Sequence, residues 1–440
     1  MAKDYDVIII GGGVSGTALL YLLDKYTDIG SVALFEKEKK LAQIASHSTQ
    51  NSQTLHFGDI ETNYTFAKAK SVSAGARLVQ TYLDTYDKKK HMHSIFPKMV
   101  LAVGTDEVNR LRERYKEFKS LFPQLELIER DEIERKEPLI VKGRDPDEEI
   151  VALWTPQGYT VDYEKLSQSF VSQTKDSTKR VDVFMDTQIN HIKRNGRTYT
   201  LYSDKGSFKT EALVVDAGAM SIKFAKEAGY GEHLSILSVA GNFYRGPEVL
   251  KSKVYTMQNP KLPFAAVHGD PDVHATGYTR FGPTALPLLM LERRNWKTVV
   301  PYFQTARWNF SGFASLFKIT GDPTNAKYIF KNILYELPLI GSRLFAKNVK
   351  KIIPTIKSGS IKKDRGYGGT RPQIVNTNTR TLSMGEARVE GQNAIFNITP
   401  SPGASTCLAN ALRDTQQVLK FLNRKYRFKT ERFKFDFKVE

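Results

Sequence analysis

A short β-branched run near the N-terminus leads directly into closely spaced glycines and then into an apolar segment. Residues 5–10 (YDVIII) have the composition of a strand buried on both faces of a parallel sheet. The glycines of residues 11–16 follow GxGxxG spacing, and residues 18–23 (ALLYLL) continue as a helix. In such a unit one glycine permits a tight turn, the next lets a phosphate approach the backbone, and the third lets the helix pack closely on the strand. The residues that we assign to this predicted anion site are Gly11, Gly13, Val14, Ser15 and Gly16.

A second strand supports a dinucleotide site. Residues 31–35 (SVALF) are another apolar run, and Glu36 follows 20 residues after Gly16. A carboxylate at this distance can accept the ribose hydroxyls of an adenosine, as the dinucleotide-binding fingerprint requires. GxGxxG alone would be a weak signal, because a glycine-rich turn in another βα unit has the same spacing. Strand, turn, helix and acid together predict a nucleotide cofactor, and we assign Glu36 and Lys37 to its site.

The segment after Glu36 favours FAD over NAD. Instead of returning quickly to a helix and a strand, the chain continues as a polar stretch over residues 43–56 (QIASHSTQNSQTLH). Such a stretch can run beside a long cofactor and supply hydroxyl and amide groups to its phosphates and ring. A solvated loop is the alternative. The cofactor residues assigned here are Ser48, Asn51, Ser52, Gln53 and Thr54.

Two later segments favour a flavoprotein domain over the solvated loop. Residues 211–219 are a buried strand that ends in small residues, after a meander of short strands over residues 180–208. Residues 399–411 are a second turn of small residues that runs into a helix, where backbone N–H groups can face an anionic ring edge. The cofactor residues assigned to this part of the chain are Ile189, Ala217, Gly218, Pro402, Gly403, Ala404, Ser405 and Thr406.

Together these segments resemble the D-amino-acid-oxidase-like superfamily of FAD enzymes across nearly the whole chain. The resemblance rests on GGGVSG with Glu36, the polar stretch, VVDAGA at 214–219, GYGGTRPQ at 366–373 and TPSPGAST at 399–406. Within that superfamily, residues 51–64 and 258–271 look like the FAD-dependent malate:quinone oxidoreductases. The resemblance implies oxidation of (S)-malate to oxaloacetate, with electrons passed to membrane quinone. Sister enzymes acting on L-2-hydroxyglutarate share the GxRP element, so a 2-hydroxy acid is better supported than malate itself.

The resemblance also implies an α/β fold, with a Rossmann-like FAD-binding domain, a mixed-sheet substrate domain and a helical cap. We expect the FAD-binding domain to comprise residues 1–85, 156–235 and 359–425. The substrate domain is expected at 86–155 and 236–358, where the second part carries the helical insert, and residues 426–440 are a basic aromatic tail.

Oxidation of a 2-hydroxy acid on a flavin needs a base for the hydroxyl proton and cations for the carboxylates. We favour His268 as base, because it follows the apolar residues 264–267 and the family resemblance places its motif near the flavin. A histidine that only closes a strand end is the alternative. His56 is the rival base, and could instead hold the ring or carry a covalent flavin link. Arg371 is the leading carboxylate clamp and also a cofactor residue, with Arg280 second; a surface salt bridge is the alternative for both.

Composition limits the class of protein. The 440 residues include 65 Lys and Arg against 47 Asp and Glu, and the net charge of +18 favours anionic partners. The single Cys407 excludes an intramolecular disulfide, and we expect it to pack rather than react; no metal site is expected. The sequence has no export signal, so a cytoplasmic protein is predicted. A basic nucleic-acid-binding protein is the alternative of a different class, but the sequence has no RNP, KH, helix-turn-helix or zinc signature, so we expect no nucleic-acid partner.

Residues 287–358 interleave aromatic and aliphatic residues with Lys and Arg, and predict helices over 325–337 and 342–353. Such helices usually bury their apolar face internally. A basic, Trp- and Phe-rich insert is also what an enzyme needs to rest on an anionic membrane surface and admit quinone, so we expect peripheral attachment to the inner face of the cell membrane. The tail at 425–438 alternates with period two, which predicts an edge strand, a lipid contact or a loosely held terminus. A soluble oxidase that reduces oxygen is the nearer functional alternative.

Overall fold

The computed structural model describes residues 3–175, 177–258, 266–272, 275–306, 321, 323–338, 340–364, 366–383, 386–423 and 425–439. The strands are β1 (Lys3–Ile10), β2 (Ser31–Phe35), β3 (Thr54–Leu55), β4 (His93–Val103), β5 (Glu126–Glu129), β6 (Ile150–Val161), β7 (Arg180–Phe184), β8 (Ile189–Asn195), β9 (Thr198–Ser203), β10 (Gly206–Val215), β11 (Leu234–Ala240), β12 (Tyr244–Pro247), β13 (Lys253–Thr256), β14 (His268–Asp272), β15 (Ala275–Gly282), β16 (Leu286–Leu288), β17 (Lys362–Lys363), β18 (Thr370–Asn376), β19 (Thr381–Ser383), β20 (Ala387–Gly391) and β21 (Ala394–Ile398). The helices are α1 (Val14–Tyr26), α2 (Phe66–Tyr86), α3 (Thr105–Phe118), α4 (Arg130–Lys136), α5 (Pro138–Val141), α6 (Tyr163–Ser172), α7 (Ser221–Glu227), α8 (Val299–Ala306), α9 (Pro323–Leu334), α10 (Gly341–Val349), α11 (Cys407–Phe421) and α12 (Thr430–Phe437).

The N-terminal motif builds an eight-stranded sheet of order β20-β21-β10-β1-β2-β7, in which the strands from β21 to β7 are parallel. β8 and β9 continue from β10 as an antiparallel meander. Because residues 7–10 of β1 are buried on both faces, the sheet needs a cover on each side. Helices α1, α2, α6 and α11 cover one face, and the meander with α7 covers the other. This is a Rossmann-like arrangement, so the predicted α/β class is confirmed.

Two further sheets complete the fold. One has nine strands in the order β17-β12-β15-β14-β13-β4-β6-β3, with β5 beside β6, and is mixed because β13 and β4 run parallel. The other is antiparallel, of order β16-β11-β18-β19. Ile236 and Leu237 are neighbours in β11 and so face opposite sides of this sheet. Helix α8 packs with the first through Tyr302, and α9 lies on the side of the second through Tyr328.

Helices α9 and α10 occupy the predicted cap, at Pro323–Leu334 and Gly341–Val349, and both start and end earlier than expected. The cap aromatics at 307–320, and part of the apolar run expected before His268, lie outside the described residues. In the described part, the strand there begins at His268 itself. No helix among the residues placed by the structure is long and apolar enough to cross a bilayer. The proposed division into domains stays a prediction.

The C-terminal tail forms a helix, which corrects the expectation of an edge strand or a loose terminus. The alternation of Phe433, Phe435 and Phe437 suggested period two, but the outer two are an i,i+4 pair on one helix face. Helix α12 buries these two rings and leaves Phe435 84% exposed. The buried rings pack on Tyr26 of α1, with centroid distances of 5.3 and 5.9 Å, and the Tyr26 hydroxyl donates to Asp436 at 2.8 Å. The tail is therefore fixed to the first helix of the chain.

Candidate active site

The glycine turn closes against β10 in the way that the motif predicts. Gly11 has a φ of +117°, and a Cβ there would lie 2.4 Å from the carbonyl oxygen of Asp216. A Cβ on Gly16 would lie 2.0 Å from the carbonyl oxygen of Gly11, so this glycine allows the close contact of helix and turn. Gly13 caps α1 without a side-chain hydrogen bond. Because the N–H groups of the first turn have no intrahelical acceptors, this helix end is suited to an anion.

Glu36 lies just beyond β2 with its carboxylate fixed from two sides. Its Oε2 accepts the N–H of Gly12 and its Oε1 accepts the N–H of Glu38, both at 2.8 Å. Burial raises the pKa of this carboxyl, although the two hydrogen bonds oppose the shift. The neighbouring Lys37 forms an ion pair with Glu292, a residue that no sequence motif marked. The acidic residue of the fingerprint is thus held beside the glycine turn.

A cavity of about 570 Å³ extends from the glycine turn to Arg371. Most residues that the sequence assigned to the cofactor line it: Gly11, Gly13, Val14, Ser15, Glu36, Lys37, Asn51, Ser52, Thr54, Ile189, Ala217, Gly218, Arg371, Pro402, Ala404 and Ser405. The assigned residues that do not line it are Gly16, Ser48, Gln53, Gly403 and Thr406.

These five residues lie behind the residues that line the cavity. The amide of Gln53 donates to the carbonyl oxygen of Ser48 at 2.9 Å. The hydroxyl of Thr406 donates to Glu386 at 2.7 Å, and a Cβ on Gly403 would lie 2.6 Å from the carbonyl oxygen of Thr399. They therefore hold the polar stretch and the 399–406 turn in place without facing the cavity.

A smaller cavity of about 210 Å³ adjoins the larger one. The wall residues common to both are Ser52, His56, Arg371, Pro400 and Ser401. All three sheets or their flanking segments contribute to the smaller wall: Tyr255 and His268 come from the nine-stranded sheet, and Arg371 from the four-stranded one. The junction of the cavities is therefore the place where a small molecule would meet a bound cofactor.

Arg371 and Lys68 are the cations of the smaller wall, and neither forms an ion pair within the described ranges. Arg371 is fixed by the pairing of β18 with Val239 of β11, and burial lowers the pKa of its guanidinium. An arginine still keeps its charge at neutral pH. The Lys68 ammonium lies 4.6 Å from the ring centroid of Tyr64. Two unpaired cations on one small wall are suited to an anionic ligand.

Arg280, the second predicted clamp, does not line either cavity. It is fully buried, its Nη2 lies 2.7 Å from Oδ2 of Asp270, and it also donates to the carbonyl oxygen of Ser52 at 3.3 Å. Lys253 lies 3.7 Å from the same carboxylate, and burial lowers the pKa of this ammonium to about 8. Arg280 is thus engaged in a buried ion pair, rather than in the surface salt bridge that the sequence offered as the alternative.

His268 starts β14 and lines the smaller cavity. Its ring stacks on Tyr255 at 4.6 Å between centroids. Its Nε2 has no hydrogen-bond partner in the part of the chain that the structure places, and lies 4.0 Å from Oδ1 of Asp270. Burial lowers the pKa of His268 to about 3; the nearby cations add to this effect and Asp270 opposes it. The imidazole is therefore neutral across the physiological range.

His56 lines both cavities and follows β3 directly. Its backbone N–H donates to the hydroxyl of Ser405 at 2.9 Å, and its Nδ1 lies 2.5 Å from Oε1 of Glu61. Burial alone would raise the pKa of Glu61, but the hydrogen bond from His56 and the charges of His56 and Lys98 hold it at about 2. Glu61 is therefore an ionised partner of His56 in the cavity wall.

Comparison with known proteins identifies the family. The model of the malate:quinone oxidoreductase (Mqo) family matches residues 3–285. A probable malate:quinone oxidoreductase of Campylobacter jejuni is 39% identical over 96% of this chain and 97% of its own length. This chain belongs to the malate:quinone oxidoreductase family. A malate:quinone oxidoreductase of Helicobacter pylori is also 39% identical, over 100% of this chain and 99% of its own.

More distant proteins share the fold of this malate:quinone oxidoreductase family member. The mitochondrial L-2-hydroxyglutarate dehydrogenase of Caenorhabditis elegans is 26% identical over 94% of this chain and 93% of its own length. L-α-glycerophosphate oxidase from Mycoplasma pneumoniae, solved with FAD bound, superposes with a TM-score of 0.66 at 19% identity over 95% of each chain. Glycine oxidase from Geobacillus kaustophilus gives 0.65 at 17% identity, again over 95% of each chain. The predicted family and fold are confirmed.

Sequence reasoning did not select Glu61, Lys68 or Tyr255, which all line the smaller cavity. Glu61 lies in a segment already used for the family resemblance, and a search for carboxylates near His56 would have found it. Lys68 and Tyr255 have no local signal, because α2 and β13 bring them to the cavity from other parts of the chain. The buried Cys407, whose pKa burial raises to about 12, fits the predicted packing role.

Proposed function

We propose that this protein binds FAD in the larger cavity and oxidises (S)-malate to oxaloacetate in the smaller one. The observation that carries the proposal is a small cavity that opens on a larger one lined by a dinucleotide fingerprint. Two cations of the small wall, Arg371 and Lys68, have no ion-pair partner among the residues that the structure describes. A dicarboxylate is the substrate class that matches two cations. The names of the relatives at 39% identity support malate within that class.

The residues of the larger cavity fit FAD along its length. Glu36 can accept ribose hydroxyls at one end, and the N-terminus of α1 behind Gly13 can accept a pyrophosphate. At the other end, Arg371 and the 399–405 turn offer a cation and backbone donors to a ring edge. Bound there, FAD supplies the acceptor for the hydride that leaves C2 of the substrate.

The protein residues then have distinct tasks. Arg371 lines both cavities, so we assign it the carboxylate next to C2, and Lys68 lines only the smaller one, so we assign it the distal carboxylate. Arg280 keeps Asp270 ionised behind the wall. The hydroxyl proton must pass to one of the two histidines that face the smaller cavity, His56 or His268.

The test is the absorbance spectrum of the purified protein, followed by anaerobic titration with 2-hydroxy acids. We expect a flavin spectrum that (S)-malate bleaches and that L-lactate, with one carboxylate, bleaches far more slowly. A colourless protein that does not take up added FAD would contradict the cofactor assignment. Bleaching by L-2-hydroxyglutarate but not by malate would reassign the substrate.

We further propose that the electrons pass to a membrane quinone and that α9 docks the protein on an anionic bilayer. The outer face of α9 and the turn after it carries an apolar stripe at i, i+4, i+7 and i+11. Phe330 is 62% exposed, Ile333 46% and Leu337 41%, and Ala326 completes the stripe. A helix of a globular protein normally presents polar residues to solvent, so this face is prepared for an apolar neighbour.

The surroundings of the stripe favour lipid headgroups over a protein partner. Exposed basic residues flank it and continue onto α10: Lys327, Lys331, Arg343 and Lys347. Glu336, the acidic residue of this stretch, is half-buried and paired with Lys363. At about 1 kcal/mol per basic residue near an anionic leaflet, four such contacts with a shallow apolar stripe suffice for reversible docking.

Vesicle flotation tests this surface. We expect the protein to float with phosphatidylglycerol-containing vesicles and not with pure phosphatidylcholine, and the double substitution F330S/I333S to abolish flotation. F435S is the matched control, since Phe435 is an exposed aromatic on another basic helix. If F435S abolishes flotation and F330S/I333S does not, the C-terminal helix is the docking element. Malate-dependent reduction of a soluble quinone analogue, measured against peroxide release, tests the electron acceptor separately.

A further inference from the structure

We propose that Glu61 is a positioning residue that makes His56, rather than His268, the proton acceptor for the substrate hydroxyl. The inference rests on the proposed function. It revises the sequence-based preference for His268 and assigns a role to Glu61, a carboxylate to which the sequence assigned none.

His56 and His268 differ in their position relative to the two cavities. His56 lines both cavities, whereas His268 lines only the smaller one. Because Nδ1 of His56 is held by Glu61 at 2.5 Å, its Nε2 is the nitrogen left to meet a ligand. Hydride and proton leave the same C2–OH group, so the acceptor of the proton must stand at the junction of the two cavities.

The His56–Glu61 pair is held in place by contacts to its main chain. Arg114 donates to the backbone carbonyl oxygen of Glu61 at 2.5 Å, and its guanidinium lies 3.7 Å from the ring centroid of Phe118. The hydroxyl of Ser405 holds the backbone N–H of His56 at 2.9 Å. Both members of the pair are therefore anchored by main-chain contacts and need no rearrangement to remain aligned.

His56 and His268 also differ in the charged groups that surround them. A proton on His268 would share its surroundings with Arg280, Lys253 and Arg371 and with a single carboxylate, Asp270, that two of these cations already engage.

A proton on His56 would instead face the ionised Glu61 directly. The other charged groups around this pair are Lys98 with its partner Asp59, Arg114, Lys68, Arg371 and Glu386. Lys98 is itself paired with Asp59 at 3.0 Å, and Glu61 is the carboxylate that contacts the His56 ring.

The chemical step balances with FAD as oxidant. Bound FAD would supply the acceptor for the hydride from C2. The hydroxyl proton passes to Nε2 of His56, and the C2–O bond becomes a carbonyl. His56 becomes an imidazolium that Glu61 stabilises, as a carboxylate does for a catalytic histidine. His268 stays neutral and gains no proton.

Stopped-flow reduction of the holoenzyme by malate tests the assignment. We expect E61Q and H56Q each to lower the limiting reduction rate about 100-fold at pH 7, with the half-saturating malate concentration changed less than about threefold. E61D should recover part of the rate. The double variant should be no slower than either single variant, because the two residues act as a unit.

A matched pair elsewhere in the chain controls for loss of a buried histidine–carboxylate contact. Nδ1 of His93 lies 2.8 Å from Oδ2 of Asp87, both are buried, and neither lines the larger or the smaller cavity. D87N should lower the melting temperature but leave the reduction rate and its pH profile unchanged. Flavin content, read from the visible spectrum, confirms that each variant is loaded.

Proton NMR gives a readout independent of turnover. A short Nδ1–H···carboxylate bond produces a far-downfield proton resonance, which E61Q and H56Q should remove and D87N should not. If H268N slows reduction 100-fold while E61Q does not, or if the resonance survives in E61Q, the proposal is wrong. If malate fails to bleach the wild-type flavin, the proposed function fails, while the NMR result still decides whether the pair exists.

Discussion

The two adjoining cavities are built by opposite means. The larger one starts from backbone: a glycine turn, a helix end and a carboxylate that hydrogen-bonds to main-chain N–H groups within the first 38 residues. The smaller one is built from side chains that three sheets and two loops bring together, with charges balanced over long sequence distances. The difference teaches that one end of a cofactor site can be encoded in one short segment, whereas a substrate site of this kind exists only after the whole chain has folded.

The strongest test of the backbone side of this comparison is G11V. Gly11 has a φ of +117°, and its Cβ would lie 2.4 Å from the carbonyl oxygen of Asp216, so a side chain must displace the turn. We expect the purified protein to lose nearly all of its flavin, measured as the visible to ultraviolet absorbance ratio. G359A is the control, since a Cβ there meets nothing within 4 Å. Full flavin content in G11V would show that the turn does not hold the cofactor.

The side-chain half of the comparison is tested most strongly by R371M. The Arg371 guanidinium has no carboxylate partner in the described part of the chain, so it should bind the substrate through charged hydrogen bonds. We expect its loss to weaken malate binding about 100-fold, or about 3 kcal/mol. The measurement is the malate concentration that half-saturates anaerobic bleaching. Because Arg371 also lines the larger cavity, flavin content is measured beside it. An unchanged malate requirement with full flavin would remove Arg371 from the substrate site.

The substitution K68M tests the distal carboxylate of the substrate separately from the one next to C2. Lys68 lines only the smaller cavity, so its loss should weaken malate binding about tenfold, or about 1.4 kcal/mol, and leave a 2-hydroxy monoacid unaffected. K70M removes an exposed lysine two residues along the same helix, and should change neither substrate. Equal losses for the diacid and the monoacid would mean that Lys68 does not contact the distal carboxylate.

The same division explains how far the sequence could be read. The Rossmann-like core followed from residues 5–36, because strand, turn, helix and acid are contiguous and each has a local physical signature. Five of the assigned cofactor residues that line the larger cavity lie in this stretch: Gly11, Gly13, Val14, Ser15 and Glu36. The other eleven belong to later segments of the chain. Glu61 is close enough in sequence to His56 for a search for nearby carboxylates to find it. The pairing of Arg280 with Asp270 could not be derived, because a side chain's partner depends on register and loop path.

The C-terminal helix shows a second limit. Three phenylalanines at alternate positions indicate a strand if one face is assumed buried along its length. Tyr26 and its neighbours on α1 offer instead a pocket for two rings spaced by four residues, and the third ring faces solvent. Tertiary contacts decided between two periods that the sequence alone could not separate.

The smallest expected effect concerns Asp216, a carboxyl in the wall of the larger cavity whose ionisation destabilises the fold. Asp216 lines that cavity, and burial, with the nearby charge of Asp414, raises its pKa to about 7 from an ordinary 3.8. Its folded form therefore binds a proton more tightly than the unfolded chain. The resulting stability is complete below pH 3.8 and is lost as pH rises through about 7.

D216N cannot ionise, so its melting temperature should exceed that of the wild type by about 2 °C more at pH 8 than at pH 5. The exposed Asp84 gives the control D84N, for which no such difference between the two pH values is expected. An equal shift for D216N at both pH values would show that ionisation of this carboxyl does not destabilise the cofactor cavity. The cavity would then depend on the backbone of its glycine turn but not on the charge of Asp216.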